Sequence, residues 1–149
     1  MAEVLFYHLT ESTLEDALPG LLERSVQRGW KVVVQTGTEE RRDSLDTHLW
    51  TYRDDTFLAH GTDREAYPGD QPILLTIRPD NGNGAEIRFL VDGATPPDLT
   101  SYARAVFMFD GHDALQLEGA RENWKAMKAA GHDVTYWQQT PDRRWERKA

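Results

Sequence analysis

The sequence predicts an α/β protein: a mixed, mostly parallel β-sheet flanked by helices, Rossmann-like but lacking a nucleotide-binding loop. Short apolar runs of strand length alternate with segments whose apolar residues recur at helical spacing. No internal repeat or linker interrupts the alternation, so the expectation is one α/β domain over residues 1–140. Residues 141–149 form a polar, basic C-terminal tail, with Trp145 the exception.

The elements follow in order. Val4, Leu5, Phe6 and Tyr7 suit a buried strand. Ser12 and Glu15 have capping-box spacing, and Leu14, Ala17, Leu18, Leu21, Leu22 and Val26 then recur along a helix. Pro19 falls inside that pattern and is expected to kink the helix or mark its first turn. Gly29 ends it, and residues 31–35 read as a second strand, parallel to the first. Thr38 caps a second helix, with Glu39 and Glu40 in its positive first turn and an apolar stripe of Leu45, Leu49 and Trp50. A loop-rich stretch to Pro72 holds one apolar island, residues 57–60.

Strands at 73–77 and 86–91 flank Asn81-Gly82-Asn83-Gly84, which predicts a hairpin. Residues 105–109 form another buried strand, a helix runs from about Asp113 to Ala130 before Gly131, and Val134 to Trp137 close the sheet.

Composition narrows the function. Hydrophobic residues make up 39% and charged residues 28%, an ordinary globular balance. The absence of cysteine excludes disulfides, zinc–thiolate sites and thiol catalysis, and fits a cytoplasmic location. There is no basic, apolar leader at the N-terminus and no run near the roughly 20 apolar residues that span a bilayer, so no membrane partner is expected. The net charge of -8 repels a nucleic-acid backbone overall. That charge is uneven, because residues 121–149 carry seven basic and four acidic side chains.

Sites of chemistry are absent from the pattern. The turn after the first strand, His8-Leu9-Thr10-Glu11, has no glycine to bring amides to a phosphate, and Glu11 would repel one. His8, His48, His60, His112 and His132 do not pair at ligand spacing, so neither metal nor cofactor is expected. No Gly-x-Ser-x-Gly elbow occurs. A degenerate nucleotide-binding or hydrolase-like domain is the alternative, and a single-strand binder using Trp145 and the basic tail is a further one.

One helix carries a positive signal. Arg121, Trp124, Lys125 and Lys128 fall at i, i+3, i+4 and i+7 and share a face. Such a face can hold an apolar side chain against the indole while the cations meet carboxylates. Leu117, Ala120, Trp124 and Met127 also form a stripe, in which Trp124 is core and the cations are merely solvated.

The chain resembles the chi subunit family of bacterial DNA polymerase III along nearly its whole length. The residues that carry the resemblance are Phe6-Tyr7-His8-Leu9, Gly29-Trp30-Lys31-Val32, Leu45-Asp46-Thr47-His48-Leu49-Trp50 and Phe57-Leu58-Ala59-His60-Gly61. Pro72-Ile73-Leu74 and the run from Ala120-Arg121 through Trp124-Lys125 to Ala130-Gly131 complete it. The resemblance implies a non-catalytic replication accessory protein. It implies binding of the acidic C-terminal tail of single-stranded DNA-binding protein, which ends in phenylalanine, so that DNA is reached only indirectly. Arg121 would hold the tail's terminal carboxylate, Trp124 and Phe109 would form the phenylalanine pocket, and Lys125 and Lys128 would attract aspartates. It further implies a psi subunit bridging to the clamp loader, with Trp50, Phe57 and His60 near that contact.

Overall fold

A computed structural model describes residues 2–52 and 58–149. Among them, eight strands form one sheet, and three helices pack on it. In chain order the elements are β1 (Glu3–Leu9), α1 (Leu14–Gln27), β2 (Val32–Gln35), α2 (Glu39–Thr51), β3 (Gly61–Thr62), β4 (Ile73–Thr76), β5 (Ile87–Leu90), β6 (Arg104–Asp110), α3 (Ala114–Ala129), β7 (Asp133–Gln139) and β8 (Trp145–Arg147). The strand order is β3-β4-β2-β5-β6-β1-β7-β8, parallel throughout except for β8, which runs antiparallel to β7.

Alternation along the strands builds two cores. On β1 and β6, Leu5, Leu9, Val106 and Met108 pack with Leu18 and Leu22 of α1 and Leu45 and Leu49 of α2. Val4, Phe6, Ala105, Phe107 and Phe109 point the other way, toward Ala120 and Met127 of α3. The central strands β2, β4 and β5 are buried at every position, as parallel strands covered on both faces must be.

Three expectations change. β4 and β5 are not a hairpin: both pair with β2, one on each side, and run parallel. The glycine-rich segment between them is a crossing loop fixed by side chains. Asn83 Nδ2 donates to the carbonyls of Val32 and Gln71, and the Ala85 amide donates to Asn81 Oδ1. Buried Arg88 reaches back from β5 to the carbonyls of Arg78 and Asp80, and also meets Gln35 Oε1 and the Tyr102 hydroxyl. Second, α1 is capped by Thr13 rather than Ser12: Thr13 Oγ1 accepts from the Asp16 amide at 3.2 Å. Ser12 is bonded to Gln139 and Glu15 to Arg41. Third, the C-terminal segment does not hang free. Trp145–Arg147 pairs with β7 as an eighth strand, and Trp145 stacks on Tyr7 with ring centroids 4.5 Å apart.

Pro19 lies within α1 rather than at its start. It has no amide to give the Glu15 carbonyl four residues back. His48 Nε2 of α2 sits 2.8 Å from that carbonyl and supplies the missing donor.

Candidate functional site

The register of the sheet sets the α3 side of β1, β6 and β7 beside one helix face. His8 lies opposite Phe109, and Phe6 lies opposite Tyr136. With α3 above them they enclose an open groove of about 440 Å³, lined by His8, Phe109, Leu117, Ala120, Arg121, Trp124, Lys125, Tyr136 and Ala149. Its walls are ring-rich. Trp124 meets Phe6 and Tyr136 edge-on at 5.5 and 5.9 Å, and His8 stacks on Phe109 at 4.9 Å. Trp124 therefore serves both readings of its helix, packing on the core with one side and walling the groove with the other.

Polar groups are few and placed at the rim. Arg121 and Lys125 are exposed, and neither forms a salt bridge among the described residues. Lys128 does not line the groove, but its Nζ sits 4.8 Å above the Trp124 ring. His8 Nδ1 is hydrogen-bonded to the Tyr136 hydroxyl at 2.6 Å. Burial, reinforced by the nearby charge of His112 and opposed by Asp110, holds the His8 pKa below its ordinary value. Burial pushes the Tyr136 hydroxyl up against the pull of Arg121. The groove thus presents a neutral, aromatic interior and a cationic lip, which suits an apolar group next to a carboxylate.

Arg121, Trp124, Lys125 and Phe109 are brought together along this groove. His8 and Tyr136 are not predicted in this role by the sequence, because only the long-range register aligns them. Gly111 supports the arrangement: a β-carbon there would fall 2.3 Å from His8 Nε2 and 2.8 Å from the Leu9 carbonyl oxygen. The predicted second surface lies elsewhere. Trp50, at the end of α2, is 51% exposed and packs over His60, ring centroids 4.4 Å apart. His60 itself is buried, its ring nitrogens facing the carbonyls of Leu58 and Asp46. Phe57 lies outside the described residues.

A parallel sheet also offers a crevice at the carboxyl ends of β1 and β6, the position where α/β folds take nucleotides. Here its backbone donors are already taken. The amides of Thr10, Glu11 and Ser12, which would cradle a phosphate, all donate to Gln139 Oε1 at 3.0–3.2 Å. Arg41 is spent on Glu15 at 2.5 Å and Asp92 at 2.9 Å, and Glu11, Asp16 and Asp110 add further negative charge. Among the described residues no group of three or more His, Asp or Glu is placed to hold a metal ion, and no helix is long and apolar enough to cross a membrane.

A doubly covered α/β sheet, with the amides of its switch-point turn already hydrogen-bonded and an aromatic groove open beside a cationic helix, defines the class of this protein. The chain belongs to the family described as DNA polymerase III chi subunit, HolC, which it matches over residues 1–135. It is 27% identical over 99 residues to a protein of Rickettsia prowazekii (strain Madrid E) named probable DNA polymerase III subunit chi, a match covering 66% of this chain and 58% of that one. It is 21% identical over 114 residues to DNA polymerase III subunit chi of Pseudomonas aeruginosa, covering 76% and 78% of the two chains. Membership places the chain among the accessory subunits of a replicative polymerase.

Proposed function

We propose that this chain is a non-catalytic cytoplasmic adaptor of the replication machinery whose α3 groove binds the acidic C-terminal tail of single-stranded DNA-binding protein. The observation that carries this reading is the pairing of an aromatic groove with two cations, Arg121 and Lys125, that have no carboxylate partner among the described residues. The terminal phenylalanine of the tail enters between Trp124, Phe109 and Tyr136. Its carboxylate meets Arg121, whose planar fork binds both oxygens, and the upstream aspartates run past Lys125 and Lys128. The switch-point turn speaks against the nucleotide-binding or hydrolase alternative, since its phosphate-facing amides are already bonded to Gln139.

The second half of the proposal is the link to the clamp loader through a psi subunit. Trp50, held over buried His60, supports this: an aromatic ring half in water on a fixed base is a common interface anchor. Fluorescence polarisation of a labelled, aspartate-rich peptide ending in phenylalanine tests the tail site. The Arg121→Ala variant is expected to weaken binding about tenfold or more, the loss of a charge-assisted hydrogen-bond pair worth roughly 1.5–3 kcal/mol. Equal affinity in the variant and the parent would remove Arg121 from the site.

A further inference from the structure

The other face of the sheet carries a second cationic groove that the tail-binding reading does not use. It has a volume of about 440 Å³ and lies between the last turns of α1 and strands β1, β5 and β6. Tyr7, Arg24, Arg28, Ile87, Val106 and Arg104 line it. Arg24 and Arg28 are exposed, one helical turn apart, and neither forms a salt bridge among the described residues. Arg104 reaches Glu3 at 3.2 Å, and its buried Nε has no hydrogen-bond partner. Arg28 and Arg104 both sit over the ring of Trp30, at 4.0 and 5.4 Å from its centroid.

The cations adjoin a row of rings. Tyr7 stacks on Trp145 and meets Trp137 edge-on at 6.5 Å. Sheet alternation brings Tyr7, Trp137, Trp145 and Arg147 to this same face, and all three rings are only half-buried. On β1 and β7 the acidic groups are Glu3, in register with Arg104 and already bonded to it, and Asp133 next to Glu3, so Arg24 and Arg28 are the unpaired cations of the groove among the described residues. Glu146 of β8 pairs with Gln138 and so alternates to the opposite face. In a chain of net charge -8, this concentration of arginine beside tryptophan is local and directional.

We infer that this face binds single-stranded nucleic acid, with Arg24, Arg28 and Arg104 on successive phosphates and the Tyr7–Trp137–Trp145 row beside the bases. Arginines spread along a groove match a repeating backbone charge, and several rings match a repeating base. An acidic peptide would satisfy the cations but leave the aromatic row without a counterpart. This inference stands apart from the tail site, which lies on the opposite face of the sheet.

Anisotropy of a 5′-labelled oligothymidylate, titrated with the full chain across a range of salt, tests it. The parent chain is expected to bind at low salt, and Arg24→Ala with Arg28→Ala to weaken binding at least about tenfold. The salt slope of the double variant should flatten by about 1.4, at about 0.7 for each single-strand phosphate that is no longer neutralised. Trp145→Ala should weaken binding severalfold, while Arg121→Ala should leave it unchanged, which separates the two sites. Absence of binding by the parent at low salt, or full binding by the double variant, would overturn the inference. So would displacement of the oligonucleotide by an aspartate-rich peptide from the Arg121→Ala chain, since that would make the groove a carboxylate site.

Discussion

Pro19 and His48 illustrate how single residues compensate one another here. The proline leaves the Glu15 carbonyl without its helical donor, and an imidazole from α2 fills the position. His48→Ala is expected to destabilise the chain by about 1–2 kcal/mol in urea denaturation, because it leaves that carbonyl without a partner. His8 makes a different prediction. Its folded pKa lies below the value of about 6.5 for an unfolded histidine. As pH falls through 6.5 the unfolded chain takes up the proton first, so the His8 contribution to stability is whole above that pH and is lost below it. The difference in denaturation midpoint between the parent and His8→Gln should shrink as pH drops from 7 to 5, and a constant difference would count against a depressed pKa. An anionic ligand in the groove favours the protonated imidazole, so peptide affinity should rise over the same interval.

At the scale of elements, the turn between β1 and α1 is held by one side chain. Gln139 accepts from three consecutive amides and donates to Ser12 Oγ, binding the end of β7 to the start of α1. Gln139→Ala should cost about 1–3 kcal/mol, read as a lower thermal midpoint, because several partly buried polar groups lose their partner together. The crossing loop depends on Arg88 in the same way. That guanidinium is fully buried with only neutral acceptors around it, and Arg88→Leu should cost about 3 kcal/mol or more.

These two residues also mark what the sequence could not tell. Helix periodicity and the Thr38 cap are local, and α2 and α3 were legible from them. Asn81-Gly82-Asn83-Gly84 looks like a hairpin turn, because nothing local shows that β2 will insert between the flanking strands. The available clue was the run Ile73-Leu74-Leu75, which without alternation fits an interior parallel strand better than a hairpin arm, whereas Arg88 masks the same signal in β5. β8 was hidden by its polarity, with Trp145 its one apolar anchor. In the groove, the helix face with Arg121, Trp124 and Lys125 was readable from spacing, whereas His8, Gly111 and Tyr136 come together through strand register alone.

The whole molecule separates its surfaces by charge and by face. One side of the sheet carries the α3 groove, the other carries the arginine groove and its aromatic row, and the crevice between α1 and β6 is lined by several acids. This arrangement lets an acidic protein attract anionic partners at chosen places while the rest of its surface repels them. Peptide binding at the proposed α3 site should therefore weaken with added salt, since Arg121, Lys125 and Lys128 are all exposed. The proposed tail site requires the α3 groove to read a terminal carboxylate next to an aromatic side chain. Calorimetric titration of the full chain with two aspartate-rich peptides ending in phenylalanine, one free and one amidated at the C-terminus, tests it most directly. The free peptide is expected to bind at least about tenfold more tightly, by loss of its charge-assisted bonds to Arg121 in the amide. Equal affinity for the two would contradict it.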